Sequence, residues 1–299
     1  MNRLACCAAL VATLGAMATP AQAYVRTRSK AGTPIAWRAP QVDLVVARPS
    51  SSFGTSAETF LSTVVRSAAT WSHEAIPCGD VDLRVNPVLV PKGVVRNDGT
   101  NTVLVTEEGW THKLAAIALT TVFLRNLPGQ PEDGEILDAD IEINSNNYTW
   151  ADIPDDATSL RDYLNDEDLR NALTHEMGHL LGLWHNCHAD DEEALPDDQG
   201  NLSPNCRNVT GDMMSATMFP STEFAATDKR TLSDDELRAV CEIYPYTYQL
   251  VGAGCSVTSR FIAASGTEKS RSRPTTGLLG GAALGLLTAV VLRRRRRRG

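Results

Sequence analysis

The chain has 299 residues, of which 42% are hydrophobic and 21% charged, an ordinary globular balance with enough apolar content to bury a substantial core. Its formal charge is −8, but six cations, Arg293 to Arg298, form one run near the C-terminus, and without them the charge is −14. An acidic body excludes nucleic acid as a partner, because phosphates need a basic surface.

Residues 1–23 read as an export signal. Arg3 is followed by an apolar stretch from Leu4 to Ala18 and a small-x-small site at Ala21-Gln22-Ala23. Cys6 and Cys7 come too early for a lipoprotein site. Cleavage would leave Tyr24 first. QVDLVVA (41–47) alternates and then runs apolar, as a strand does. SAETFLSTVVRSAATW (56–71) places Phe60, Val64, Ala68 and Trp71 at helical spacing. VDLRV (81–85), TVLV (102–105) and AIALTTVFLR (116–125) predict strands, and GEILDADIEIN (134–144) alternates Ile136, Ile141 and Ile143 with acids. A second helix is expected over about Glu167 to Leu181, with Asn165 or Asp166 as its cap. A third is expected in LSDDELRAVCEIY (232–244), where Ser233 and Glu236 have capping-box spacing.

The globular domain is expected over 24–248, with a polar linker over 249–276 that is rich in Ser, Thr and Arg from 256 onward. GLLGGAALGLLTAVVL (277–292) follows, nearly uncharged, and then the arginine run to the end at 299. This span is short against the ~17–25 residues a helix needs to cross a bilayer. Snorkelling arginines and Thr275-Thr276 can extend it. As an anchor it would keep the arginines cytoplasmic and the body outside.

Removal of the signal leaves Cys78, Cys187, Cys206, Cys241 and Cys255. Export makes disulfides plausible. Cys187 and Cys206 bracket one polar loop and are expected to pair, which leaves Cys78 for Cys241 and sets Cys255 outside the domain. Four cysteines still allow three connectivities.

LTHEMGHLLGLWHN (173–186) holds His175, His179 and His185. Positions four apart stack on one helix face, so His175 and His179 can share an ion. Leu169, Leu173, Met177 and Leu180 lie on nearly the opposite face and would anchor the helix, leaving the histidines toward a cleft. Gly182 can end the helix with a positive φ and let the chain bring His185 back. Three neutral imidazoles favour zinc and leave a fourth position for water, which zinc makes acidic. Glu176 follows the first ligand and is the expected general base.

HEMGHLLGLWH resembles the long zinc signature of the metzincin peptidases, and within that clan the matrixin type. SATMFP (215–220) resembles the Met-turn of that family, which places Met218 beneath the ligands. GEILDADIEIN resembles its substrate-binding edge strand, and LSDDELRAVCEIYP its closing helix. Over roughly 35–246 the resemblance implies an α+β fold: a twisted, mostly parallel sheet with an antiparallel edge strand, an active-site helix and a C-terminal helix. It implies no second zinc, since Glu142 stands near where a histidine ligand would be expected. Asp138, Asp140 and Glu142 could instead bind calcium, as could the acids between Asp190 and Asp198, although both read first as solvated acids. IPCGD (76–80) lies too far along the chain for a propeptide cysteine switch, so Cys78 is read as a disulfide partner. His73, His112 and His188 read as ordinary.

The expectation is an exported zinc endopeptidase, monomeric, acting on a protein or peptide substrate at the cell surface or outer envelope. The alternative is a zinc-binding surface protein that has lost catalysis. The tail resembles bacterial C-terminal sorting tails of the myxobacterial type. It is either a permanent anchor or a segment removed by a processing protease near Cys255.

Overall fold

The computed structural model describes residues 24–157 and 159–246, together with the backbone of 290–294. The expected signal, most of the linker and tail, and Cys255 lie outside the described residues.

The chain begins with a short strand, β1 (Val25–Arg26), and then β2 (Gln41–Val46). Helix α1 (Ala57–Trp71) starts where Ser56 Oγ accepts the Thr59 amide at 3.0 Å. Its Phe60, Val64, Ala68 and Trp71 form the buried stripe the spacing predicts. Strands β3 (Asp82–Val85), β4 (Asn101–Thr106), β5 (Ala116–Leu124) and β6 (Ile136–Asn144) follow. A small pair, β7 (Thr149–Ala151) and β8 (Asp166–Asp168), leads into helix α2 (Leu169–Leu180). Then come β9 (Leu183–Trp184), the single turn α3 (Asp212–Ser215), β10 (Ser221–Thr222) and helix α4 (Asp234–Ile243). Strand β11 (Val290–Arg294) closes the described chain.

The main sheet runs in the order β10-β11-β5-β6-β4-β2-β3. Within it β3, β2, β4 and β6 are parallel, and β5 runs antiparallel to β6. This is the mixed α+β layout expected. The antiparallel strand is β5, however, and not 134–144. Strand β6 is interior, paired with β4 on one side and β5 on the other. Its alternating acids suggested a wet edge, but Asp138 and Asp140 are fully buried. Asp138 Oδ2 accepts the amides of Asp98 and Gly99, and Asp140 accepts those of Arg96 and Thr102. The 96–99 turn and Thr102 of β4 thus donate amides to carboxylates that would otherwise need water, while Asp138 Oδ1 has no hydrogen-bond partner.

Helices α1 and α2 pack on each other and on the sheet, with Leu169, Leu173 and Met177 joining Phe60, Val64 and Trp71 in the main core. Trp71 Nε1 donates to the Thr174 carbonyl at 2.8 Å, which ties the two helices. Disulfides join Cys78 to Cys241 and Cys187 to Cys206.

Two expectations need correction. Helix α2 begins at Leu169 with Asp168 as its cap, three residues past Asn165, because the intervening chain pairs with β7. Residues 290–292, read as the end of an apolar span, form strand together with Arg293 and Arg294. Val and Leu suit a strand, and β5 offers them an otherwise open edge. Among the described residues no helix is long and apolar enough to cross a membrane.

Candidate metal centre

Helix α2 is fixed at its start by a buried ion pair. Asp168 Oδ2 accepts the Asn171 amide at 2.8 Å and Arg230 Nε at 2.7 Å, while Arg230 Nη2 reaches Asp168 Oδ1 at 2.5 Å and the Ile153 carbonyl at 2.6 Å. At the other end Gly182 has φ +90°, and a Cβ there would lie 2.8 Å from the Ile35 carbonyl oxygen. The chain turns there into β9, which pairs antiparallel with β1. That turn carries His185 back to His175 and His179, with ring centroids 5.4 and 4.9 Å away.

The donor atoms of the three histidines lie within 4.8 Å of one another, and all three side chains are buried. Their orientation is set by backbone. His175 Nδ1 is 2.6 Å from the Thr217 carbonyl, and His179 Nδ1 is 2.8 Å from the Leu183 carbonyl. A carbonyl only accepts, so each Nδ1 carries the proton and each Nε2 presents a lone pair. Those two Nε2 atoms face each other at 3.0 Å. A shared proton is disfavoured: burial, reinforced by His179 and Lys229, holds His175 well below the usual imidazole value. Burial also drives His179 down to about 3. Two converging lone pairs in a buried site fit a cation between them. Tetrahedral zinc with bonds of ~2.0–2.1 Å puts its donors about 3.4 Å apart, a spacing this trio brackets.

Glu176 sits beside the trio, fully buried. Its Oε2 accepts from Thr120 Oγ1 at 2.6 Å, and its Oε1 has no hydrogen-bond partner. Burial pushes its carboxyl up to about 8, opposed by the Thr120 hydroxyl. Thr120 comes from β5, so the antiparallel strand and the metal helix meet at the acid.

Met218 packs against α2 at Gly178. A Cβ on Gly178 would run into Met218 Sδ and approach Trp71 at 3.0 Å, so glycine makes the room. The Met218 amide donates to Glu236 Oε1 at 2.9 Å, and its carbonyl accepts from the Asn186 amide at 3.2 Å. Glu236 also closes the capping box on Ser233 at the start of α4. Thr217 and Met218 are thus pinned between α4 and α2, which fixes the carbonyl that orients His175.

The histidine face is less open than the helical stripe suggested. His175, Glu176 and His179 are as buried as Leu173 and Met177, with β5 and β11 packed on α2 and the Thr217 carbonyl against His175. Other predicted residues lie elsewhere. His112 Nε2 is 3.2 Å from Glu142 Oε2, and Thr106 Oγ1 donates to Glu142 at 3.1 Å. His73 Nδ1 is 2.6 Å from the Gly79 carbonyl, and its ring stacks on Tyr246. His188 Nδ1 meets the Ser203 carbonyl at 2.9 Å. Acids of the 190–198 loop are partly engaged: Asp190 pairs with Arg207, Asp191 with Lys113 at 2.8 Å and Asp198 with Arg238 at 3.7 Å. Among the described residues, the group of three or more ligating side chains whose donors converge is the histidine trio.

Sequence reasoning missed Thr120, Arg230 and Glu192, whose Oε2 lies 4.0 Å from His185 Nδ1. Thr120 and Arg230 are more than 50 residues from Glu176 in sequence, and no local pattern marks them.

No family model and no curated protein matches the chain. Among solved structures it is similar to the structure of myroilysin, at 14% identity and a TM-score of 0.35, over 71% of this chain and 97% of that one.

Proposed function

We propose that this chain is an exported zinc endopeptidase of the matrixin-like metzincin type, held at the cell surface or outer envelope or released from it. The observation that carries the reading is the pair of carbonyl-oriented imidazoles whose Nε2 atoms converge at 3.0 Å beside a buried carboxyl. His175, His179 and His185 would hold the ion, and Met218 would form the floor beneath them. Bound zinc would supply a Lewis acid that activates water and polarises the scissile carbonyl. Glu176 would take up a proton from the attacking water and return it to the leaving amine. Thr120 holds the carboxylate through Oε2 and leaves Oε1 available for that transfer.

A protein or peptide substrate would lie extended along the outer edge of β5, adding a strand. Residues 215–222 would form one wall of the pocket for the side chain just past the cleavage point. The two disulfides support an oxidising compartment. The tail over 277–299 would act as anchor or sorting segment, and the working unit would be a monomer.

Casein hydrolysis with metal analysis tests the reading. It predicts about one zinc per chain and hydrolysis that is lost to a chelator and restored by zinc. One bound zinc with no hydrolysis of casein or of a peptide library would favour the alternative, a zinc-binding surface protein.

A further inference from the structure

An extended peptide can add to a sheet only where backbone groups are unpaired. In this chain that edge of β5 is already taken by the chain's own C-terminal strand. Val290 lies opposite Thr120, Val291 opposite Leu119 and Arg293 opposite Ala116, all antiparallel. On its other side β11 runs parallel to β10, with Arg293 opposite Ser221 and Arg294 opposite Thr222. Both neighbours belong to the metal centre. Thr120 holds Glu176, and Ser221 and Thr222 follow closely on the segment whose carbonyl orients His175. Strand β11 also packs on α2. Five residues therefore bridge the two walls between which a substrate backbone would run.

We propose that the C-terminal segment 290–294 is an intramolecular inhibitor that occupies the peptide-binding edge of β5, and that its release opens the site. The inference rests on the peptidase reading above. Three features support it. The segment is VVLRR, whose β-branched and apolar residues suit a strand. It carries the first two arginines of a run of six, and the rest of the chain has a formal charge of −14, so attraction favours docking. The pairing with β5 shifts register between Val291 and Arg293, so the ladder is short and interrupted and can be displaced. Covalent attachment raises the effective concentration of so weak a ligand.

Membrane insertion of 277–292 and docking of 290–294 on β5 compete for Val290, Val291 and Leu292. Anchoring the tail or cutting it off would therefore have the same consequence for the cleft.

The test uses the full chain with a specific protease site placed within 256–276, purified intact with zinc and then cut. Hydrolysis of a quenched peptide library is followed before and after cutting and dilution, with hydrogen exchange at residues 116–120 measured in parallel. The proposal predicts a rate increase of roughly tenfold or more on cutting, with faster exchange at 116–120. Val291→Pro in the uncut chain should give the same direction, because proline interrupts a ladder. A synthetic peptide of residues 288–299 should inhibit the cut enzyme by raising KM at unchanged kcat. Equal rates and equal exchange before and after cutting would overturn the proposal. So would cleavage of the tail within 290–294 by the chain itself that Glu176→Gln abolishes, since the segment would then be a substrate. No hydrolysis in either state despite bound zinc, with faster exchange after cutting, would count against the peptidase reading and leave the docked tail standing.

Discussion

Thr120 Oγ1 lies 2.6 Å from Glu176 Oε2 and 3.0 Å from the Glu176 backbone carbonyl oxygen. One hydroxyl proton serves two acceptors. When Glu176 is ionised the proton belongs with the carboxylate. When Glu176 is protonated, the acid can donate to Thr120, whose own proton turns to the carbonyl. The strand that would bind substrate is thereby coupled to the charge state of the base.

Thr120→Val should therefore impair turnover more than metal binding. A hydrogen bond to a charged group is worth ~1.5–3 kcal/mol, so kcat should fall about tenfold to hundredfold. The Thr120 hydroxyl lowers the Glu176 value, so its loss should move the acid limb of the pH–rate profile to higher pH. Steady-state kinetics across pH with zinc analysis checks this. A fall in kcat with an unmoved acid limb would show that Thr120 serves packing alone.

The pH dependence of zinc binding has a definite sign. His175 and His179 are held far below the usual imidazole value, so near neutral pH they have no proton to release. Glu176, raised to about 8, keeps its proton below that pH in the metal-free protein. A dication nearby expels it, so the logarithm of the zinc affinity should rise by about one per pH unit between pH 6 and 8 and flatten above. In Glu176→Gln the slope should be shallower by about one proton. Calorimetry in buffers of different ionisation enthalpy measures the released protons. An unchanged proton release in Glu176→Gln would show that the proton does not come from Glu176.

Gly182→Ala should weaken both the fold and the metal site. Its φ of +90° disfavours any Cβ, and that Cβ would lie 2.8 Å from the Ile35 carbonyl. Such strain costs ~1–3 kcal/mol. Because Gly182 starts the turn that returns His185, zinc affinity should drop along with stability. Denaturation with and without zinc separates the two effects.

Arg230→Ala should be more damaging, because it leaves Asp168 buried without its cation. Removing one partner of a buried pair costs ~3–5 kcal/mol. Arg230→Lys should rescue little, since one ammonium cannot reproduce the contacts to both Asp168 oxygens and to the Ile153 carbonyl. Chemical denaturation of both variants checks the ranking.

Much of the site was legible because its chemistry is local. His175, Glu176, His179 and Gly182 lie within two turns of chain, where helical geometry fixes their relations. The capping box at Ser233 and Glu236 was readable for the same reason. Strand β6 was misread because Asp138 and Asp140 are held by amides 38 to 44 residues away, and alternation cannot tell a wet face from a buried one. Thr120, Arg230 and the His112–Glu142 contact depend on tertiary assembly. The placement of Val290–Arg294 depends on an open edge of β5, which nothing in the tail's own composition reveals.

The most direct test of the central claim compares the wild-type chain with Glu176→Gln, both freed of residues 290–294 by cutting after folding and both loaded with zinc. Casein hydrolysis and bound zinc are measured on the same samples. The zinc peptidase account predicts about one zinc in each and a loss of at least about a hundredfold in rate for the variant, at the lower end expected for a proton-transfer group. Equal hydrolysis by the two proteins, with zinc bound in both, would contradict it.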